Sequence, residues 1–136
     1  MPKFLTLAEV LNFHEDLLHS FGGGPGIRDL SLLESAMAMP ESGSDDVFFH
    51  EFPFEMAAAY AFHIVKNHAF VDGNKRTGLA AALVFLEINK YSVKGGEKEL
   101  EIATRRLASG TMEKKDFAEV LEKAYKKFQT GTKKGR

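Results

Sequence analysis

The middle of the chain reads FEMAAAYAFHIVKN over residues 54–67, HAFVDG over residues 68–73 and NKRTGLAAALVFLEIN over residues 74–89. The first and third segments are apolar on almost every side, and a helix of that composition has to be buried among neighbours. The polar stretch between them ends one helix and begins the next. The pattern therefore predicts two core helices packed side by side, with Pro53 in the first turn of the earlier helix.

Four more helices are predicted around this pair, because apolar residues recur at helical intervals. Thr6 and Glu9 form a capping box at the first of them, and Asp29 is a suitable N-cap for the second. The predicted ranges are 6–21, Asp29 to near Pro40, 97–108 and 115–128. Together with the core pair they predict an all-α bundle of about six helices.

Two segments break the helical pattern. Residues 40–52 turn to Ser, Gly and Asp and then VFFHEF, which predicts an exposed loop or short hairpin, called the flap below. The loop GGGPGIR at residues 22–28 lacks the Gly-Lys-Ser/Thr ending of a phosphate loop and follows no predicted strand, so it is interpreted as a turn. We expect a single domain over residues 1–128 and a flexible basic tail over residues 129–136.

Composition narrows the class of protein. The chain has 136 residues, of which 44% are apolar, which is enough for one self-sufficient core. Its net charge of -1 argues against direct nucleic-acid binding as the main function. The sequence has no cysteine, no signal-peptide pattern and no membrane-length apolar run. These features predict a cytoplasmic protein without membrane association.

The stretch HAFVDGNKRTG, residues 68–78, concentrates charged and polar groups at the start of the second core helix. The first amides of a helix lack intrahelical partners, and the helix dipole adds positive charge, so this end suits an anion. Gly73 allows close approach of the backbone, and Lys75 and Arg76 add full charges. The expected ligand is phosphate.

Two further residues suit phosphate chemistry. Asp72 directly precedes the helix, where one carboxylate beside phosphate oxygens holds Mg²⁺ without a full protein cage. His68 lies four residues earlier, and an imidazole is the side chain best suited to accept a proton from a hydroxyl at neutral pH. A histidine alone is more often structural, so the interpretation depends on the surrounding residues. The other histidines are interpreted as structural, and His63 and His68 are spaced wrongly for a zinc pair.

The segment HAFVDGNKR resembles the signature of the Fic/Doc family, histidine-x-phenylalanine-x-acid-glycine-asparagine-(glycine or lysine)-arginine, and the form with lysine is similar to the Doc branch of death-on-curing toxins. The segments FGGGPGIRDLSLLESAM and LVFLEINKY resemble other parts of Doc-like proteins, so the similarity covers about residues 5–128. The resemblance implies a compact Fic/Doc-type helical domain.

The resemblance also implies roles for individual residues. His68 is the base that activates a protein hydroxyl, and Phe70 anchors the loop in the core. Asp72 positions magnesium, and Arg76 belongs to the catalytic set. The implied cofactors are ATP and Mg²⁺, and the residues that bind the nucleotide phosphates are Gly73, Asn74, Lys75 and Arg76. Residues 40–52 are the flap that aligns the target peptide.

Two positions bear on which group is transferred. Adenylyl-transferring Fic enzymes generally carry glycine where this chain has Lys75, and a second arginine where it has Leu79. The lysine and leucine resemble Doc, in which the nucleotide lies reversed and the γ-phosphoryl group faces the base. Gly73 instead matches the Fic pattern. The favoured prediction is a kinase, the alternative is an adenylyltransferase, and a silent nucleotide- or partner-binding module is the third.

The resemblance also implies partners. Many Fic proteins carry an inhibitory Ser/Thr-x-x-x-Glu-Gly/Asn motif, which this sequence lacks, so inhibition is expected from an antitoxin on a separate chain. The implied target is elongation factor Tu, modified on a threonine, with translation blocked as the result. Arg28 is left open between a phosphate-binding residue near the active site and a solvated loop charge.

Overall fold

A computed structural model describes residues 1–129 of the chain. Its helices are α1 (Leu7–Phe21), α2 (Leu30–Ala38), α3 (Phe54–Asn67), α4 (Asn74–Ile88), α5 (Glu97–Ser109) and α6 (Lys114–Gln129). A two-stranded antiparallel hairpin, β1 (Gly43–Ser44) and β2 (Val47–Phe48), interrupts them between α2 and α3. The predicted all-α bundle with a short hairpin insertion is confirmed.

The central helix of the bundle is α3, which packs against α2, α4, α5 and α6. Its buried residues are Met56, Ala57, Ala58, Ala59, Tyr60, Ala61, Ile64 and Val65. The small side chains among them let neighbouring helices approach from several sides. The nearly all-round apolar sequence of this helix is therefore explained by its position.

The crossing of α3 and α4 depends on Gly78. A Cβ atom at this position would lie 2.8 Å from Cγ2 of Val65 and 3.0 Å from the carbonyl oxygen of Ala61. The second contact is with backbone of α3, which cannot move aside without moving the helix. Gly78 thus allows the two core helices to approach closely just after the polar stretch that joins them.

Local signals set the helix ends within one or two residues. Thr6 accepts a hydrogen bond from the Glu9 amide, the Glu9 side chain accepts one from the Thr6 amide, and α1 starts at Leu7. Asp29 accepts from the amides at the start of α2. The ranges predicted from Thr6 and from Asp29 included these cap residues, so each begins one residue before its helix. Pro53, predicted in the first turn of α3, lies at its N-cap.

The flap contains a tight hairpin whose register pairs Gly43 with Phe48 and Ser44 with Val47. Its two turn residues, Asp45 and Asp46, have φ values of 53° and 66°, as a two-residue turn with the twist of the strands requires.

The helix α6 continues to Gln129, one residue beyond its predicted range of 115–128, and the flexible tail predicted over 129–136 stays a prediction. Residues 130–136 lie outside the described part of the chain. Within residues 1–129, no helix combines the length and the apolar character needed to cross a membrane.

Candidate active site

The loop between α3 and α4 leaves one helix and enters the next through two left-handed residues. His68 ends α3 with φ 51° and ψ 48°, and Gly73 precedes α4 with φ 83° and ψ 16°. Between them Phe70 is buried, with 1% of its surface exposed. The predicted anchor is therefore in the core, and His68 and Asp72 on either side of it are exposed.

The Asn74 side chain closes this loop from inside. Its Oδ1 accepts a hydrogen bond from the Phe70 amide at 3.1 Å, and its Nδ2 donates to the Phe70 carbonyl at 3.0 Å. The residue is 5% exposed. Because the side-chain amide is engaged in this way, a phosphate contact by Asn74 would have to use its backbone N-H at the start of α4. That contact stays a prediction.

The backbone of His68 is held by Arg28, which lies 40 residues earlier in the chain. The Arg28 Nε donates to the His68 carbonyl at 2.8 Å, and Nη2 donates to the Asn67 carbonyl at 3.3 Å. A cation beside the last carbonyls of a helix is stabilising. Arg28 thus caps the C-terminal end of α3 beside the site. The sequence had left it open between a phosphate-binding residue and a solvated loop charge, and neither role describes this contact.

The His68 ring makes one contact with the loop. Its Nδ1 lies 3.3 Å from Nδ2 of Asn74. The second ring nitrogen, Nε2, makes no hydrogen bond within residues 1–129.

The carboxylate of Asp72 is cradled by backbone amides. Oδ1 accepts from the Gly73 N-H at 2.8 Å, and Oδ2 accepts from the Gly24 N-H at 3.2 Å. Hydrogen bonds from Gly24 and Gly73 lower the pKa of Asp72. The carboxylate is therefore ionised at neutral pH, as a magnesium ligand has to be.

The glycine-rich loop before α2 belongs to the site, although the sequence indicated only a turn. Ile27 forms an antiparallel bridge with Phe70, and the Val71 amide donates to the Gly26 carbonyl at 3.1 Å. At Gly23, where φ is +124°, a Cβ atom would lie 2.9 Å from Oδ2 of Asp72. The loop needs glycine here because it passes against the catalytic candidate.

His14 on α1 supports the same loop from the other side. The residue is 6% exposed, and its Nε2 donates to the Asp72 carbonyl oxygen at 2.8 Å. The carbonyl can only accept, so Nε2 carries the proton. The sequence predicted a structural histidine and missed this contact. The available signal was a histidine in the apolar stripe of α1, between Leu11 and Leu17.

The two cations of the motif lie exposed in the first turn of α4. The Arg76 guanidinium lies over the ring of Phe21, 4.3 Å from its centroid, in a cation–π contact. No side chain caps the helix start. The first amides of α4 and the charges of Lys75 and Arg76 therefore lie at the same end of the helix, and phosphate binding there stays a prediction.

An open cavity of about 270 Å³ collects these groups. Every predicted site residue lines it: His68, Asp72, Gly73, Asn74, Lys75 and Arg76. Apolar side chains complete the lining from the core side, among them Val65 and Leu79. The helix α5 forms a further side of the cavity with Glu101, Thr104, Arg105 and Ala108, none of which the sequence indicated. Below, this cavity is called the groove.

Comparison with known proteins places these residues in a family. The model of the Fic/DOC family matches residues 4–86, which include the whole motif loop. The protein named Protein kinase doc, from Escherichia phage P1, is 30% identical over 125 residues, covering 90% of this chain and 96% of the phage protein.

The protein named Toxin Doc, from Mycolicibacterium smegmatis, is 44% identical over 70 residues, covering 52% of this chain and 54% of the mycobacterial protein. The match thus spans about half of that relative. Both names agree with the resemblance to the Doc branch drawn from residues 68–76.

Proposed function

The chain belongs to the Fic/Doc family, and from that premise we propose that it is a Doc-like toxin acting as a protein kinase. The proposed reaction moves the γ-phosphoryl group of ATP to a serine or threonine hydroxyl of a target protein. The observation that carries the proposal is the groove, which joins a histidine, an ionised carboxylate and a cationic helix N-terminus. The name of the phage relative supports phosphoryl transfer.

The start of α4 is the proposed phosphate site. Its free amides, with Lys75 and Arg76, stabilise the negative charge that spreads over the phosphoryl oxygens in the transition state. The stacking of Arg76 on Phe21 restricts its guanidinium before substrate arrives, which lowers the entropy lost on binding. Positioning and charge neutralisation supply most of the catalysis in such a reaction.

Asp72 fits magnesium shared with a nucleotide. Within residues 1–129 no three His, Cys, Asp or Glu side chains lie close enough to form a metal site of their own. Each Asp72 oxygen accepts one backbone N-H, and further lone pairs stay available for a cation. A single carboxylate with phosphate oxygens and water is a usual magnesium ligand set. When bound, the ion neutralises phosphate charge.

His68 is the proposed base. The target oxygen forms a bond to the γ-phosphorus as the bond from phosphorus to the bridging oxygen of ADP breaks, and the hydroxyl proton passes to Nε2 of His68. A neutral imidazole that accepts at Nε2 carries its proton on Nδ1, which faces the Asn74 Nδ2 donor at 3.3 Å. We therefore expect the ring to turn away from Asn74 when substrate binds.

The proposed target is elongation factor Tu, and the proposed inhibitor is an antitoxin on a separate chain. The mycobacterial relative is named a toxin, which supports the proposal that this chain is a toxin with a cognate antitoxin. The flap exposes 66% of Val47 and 68% of Phe49, which suits an apolar contact with a target segment. Modification of this factor would block translation.

Adenylyl transfer is the second candidate, because one observation favours it. Gly73 holds φ at 83° at the entrance of α4, a conformation that favours glycine, and glycine at this position matches the pattern of the adenylyl-transferring Fic enzymes. An α-phosphate placed there would face His68 in place of the γ-phosphate.

One experiment separates the candidates. The full chain is incubated with magnesium, elongation factor Tu and ATP labelled on either the α- or the γ-phosphate, with His68→Ala as control. Label from the γ position alone, lost in the variant, is expected. Label from the α position would establish adenylyl transfer instead. No transfer to this factor or to a whole lysate, with the fold intact, would contradict both.

A further inference from the structure

We propose that Arg105 on α5 is a second phosphate-binding residue of the groove, and that Glu101 holds it until an anion enters. This inference rests on the proposed function, because it assumes a nucleotide in the groove. Arg105 lies on a different helix from the motif, 29 positions after Arg76. Its proposed ligand is the polyphosphate of the nucleotide.

The side of α5 that lines the groove is one helical face. Its residues Glu101, Thr104, Arg105 and Ala108 are spaced at i, i+3, i+4 and i+7, the interval at which side chains share a face. Thr104 donates its hydroxyl proton to the Leu100 carbonyl at 2.7 Å, so this hydroxyl is already engaged within its own helix. The charged pair Glu101 and Arg105 is what this face offers a ligand.

The ion pair between these two residues is easily exchanged. Nη2 of Arg105 lies 3.1 Å from Oε2 of Glu101, and the side chains are 69% and 60% exposed, respectively. Exposed pairs of this kind contribute about 0–1 kcal/mol, because water and salt screen them. A phosphate oxygen can therefore replace the carboxylate at little cost.

The balance of charge around the groove favours a polyanion. Three cationic side chains line it, Lys75, Arg76 and Arg105, against two carboxylates, Asp72 and Glu101. If Asp72 takes magnesium, Glu101 is the carboxylate left to oppose phosphate. Guanidinium binds phosphate through two parallel hydrogen bonds, so Arg105 suits this contact better than a lysine would.

The chain offers a matched control in the next residue. Arg106 lies on the same helix but does not line the groove, and its Nη2 donates to the Thr111 carbonyl at 3.1 Å. Arg106→Gln thus removes the same charge, one position away, from outside the proposed site. Comparison of Arg105→Gln with Arg106→Gln therefore separates the loss of a local phosphate contact from a general change in the electrostatic field of the protein.

The test is calorimetric binding of ATP, ADP and adenosine to the full chain in magnesium. Arg105→Gln is expected to weaken ATP binding by about tenfold, with a smaller loss for ADP and none for adenosine. Arg105→Lys should recover part of the loss. Glu101→Gln should tighten ATP binding, and Arg106→Gln should leave it unchanged.

Two outcomes are distinguished. If the native chain binds ATP and the Gln variants at 105 and 106 weaken it equally or not at all, the role of Arg105 is wrong while the proposed function stands. If the native chain, folded by circular dichroism, binds no nucleotide, the proposed function fails and this inference fails with it.

Discussion

The ring of His14 lies flat on the ring of Phe70, with centroids 3.7 Å apart and an interplanar angle of 11°. The same imidazole donates from Nε2 to the carbonyl oxygen of Asp72 at 2.8 Å. One side chain of α1 thus packs on the buried anchor of the motif loop and holds the backbone of its acidic residue. His14 connects the stability of the core to the position of a catalytic candidate.

His14→Phe should separate these two effects. Phenylalanine keeps a flat ring against Phe70 but leaves the Asp72 carbonyl without its donor, which costs about 1 kcal/mol of unfolding free energy. The carboxylate then loses part of its orientation, so we expect a severalfold higher magnesium concentration at half-maximal phosphoryl transfer. His19→Phe, at an exposed position on the same helix, is the control. An unchanged magnesium titration in His14→Phe would remove the positioning role.

Phe70→Ala should destabilise the whole domain. The side chain is 1% exposed, and deleting a buried phenylalanine costs about 3–5 kcal/mol through lost burial and the cavity left behind. Denaturant unfolding measures the change. Val71→Ala in the same loop is the comparison, since Val71 is 59% exposed and should shift the free energy by about 0.5 kcal/mol or less. A small shift for Phe70→Ala would show that the loop does not depend on this anchor.

Helix positions were predictable because their causes are local. The capping box of Thr6 and Glu9 and the N-cap Asp29 lie within three residues of the amides they bond. The motif loop was predictable for the same reason, since His68 to Arg76 span nine residues, and a histidine, an acid and a helix start cannot lie far apart in such a segment.

The supporting residues were not predictable, because their contacts depend on how the helices pack. His14 and Asp72 are 58 residues apart, and Arg28 and His68 are 40 apart. Arg105 reaches the groove only because α5 packs against both α3 and α4. Periodicity shows which face of a helix is apolar, but it does not show which charged residue at the edge of that face meets another segment.

Thr77→Val should stabilise the protein. The Thr77 hydroxyl is buried in α4 and has no hydrogen-bond partner among the described residues. An unsatisfied buried polar group costs about 1–3 kcal/mol, and valine has nearly the same shape. Thr104→Val is the control, because the Thr104 hydroxyl donates to the Leu100 carbonyl at 2.7 Å, so its loss should be neutral or destabilising. Equal shifts in the two variants would contradict the assignment of Thr77 as unsatisfied.

A cluster of three titratable side chains joins the flap to the bundle. Lys114, at the start of α6, donates from Nζ to Nε2 of His50 at 2.9 Å and to Nε2 of His63 at 3.1 Å. Both imidazoles accept, so each is neutral with its proton on Nδ1. Burial, followed by the Lys114 charge, lowers the pKa of His63 to about 4, and the same two causes lower the pKa of His50, against which the Glu55 carboxylate acts.

Acid should therefore destabilise the fold through this cluster. The unfolded chain takes up a proton on His63 near pH 6.5, whereas the folded chain resists it until the pKa of about 4. The contribution of His63 to the free energy of unfolding is thus fully present above pH 6.5 and is lost progressively as the pH falls to about 4. Urea unfolding at several pH values in this window should show a shallower loss of stability in His63→Gln, whose side chain still accepts from Lys114 but does not titrate. His19→Gln, at an exposed site, should keep the native dependence of stability on pH. Equal slopes in the native chain, His63→Gln and His19→Gln would contradict the lowered pKa of His63.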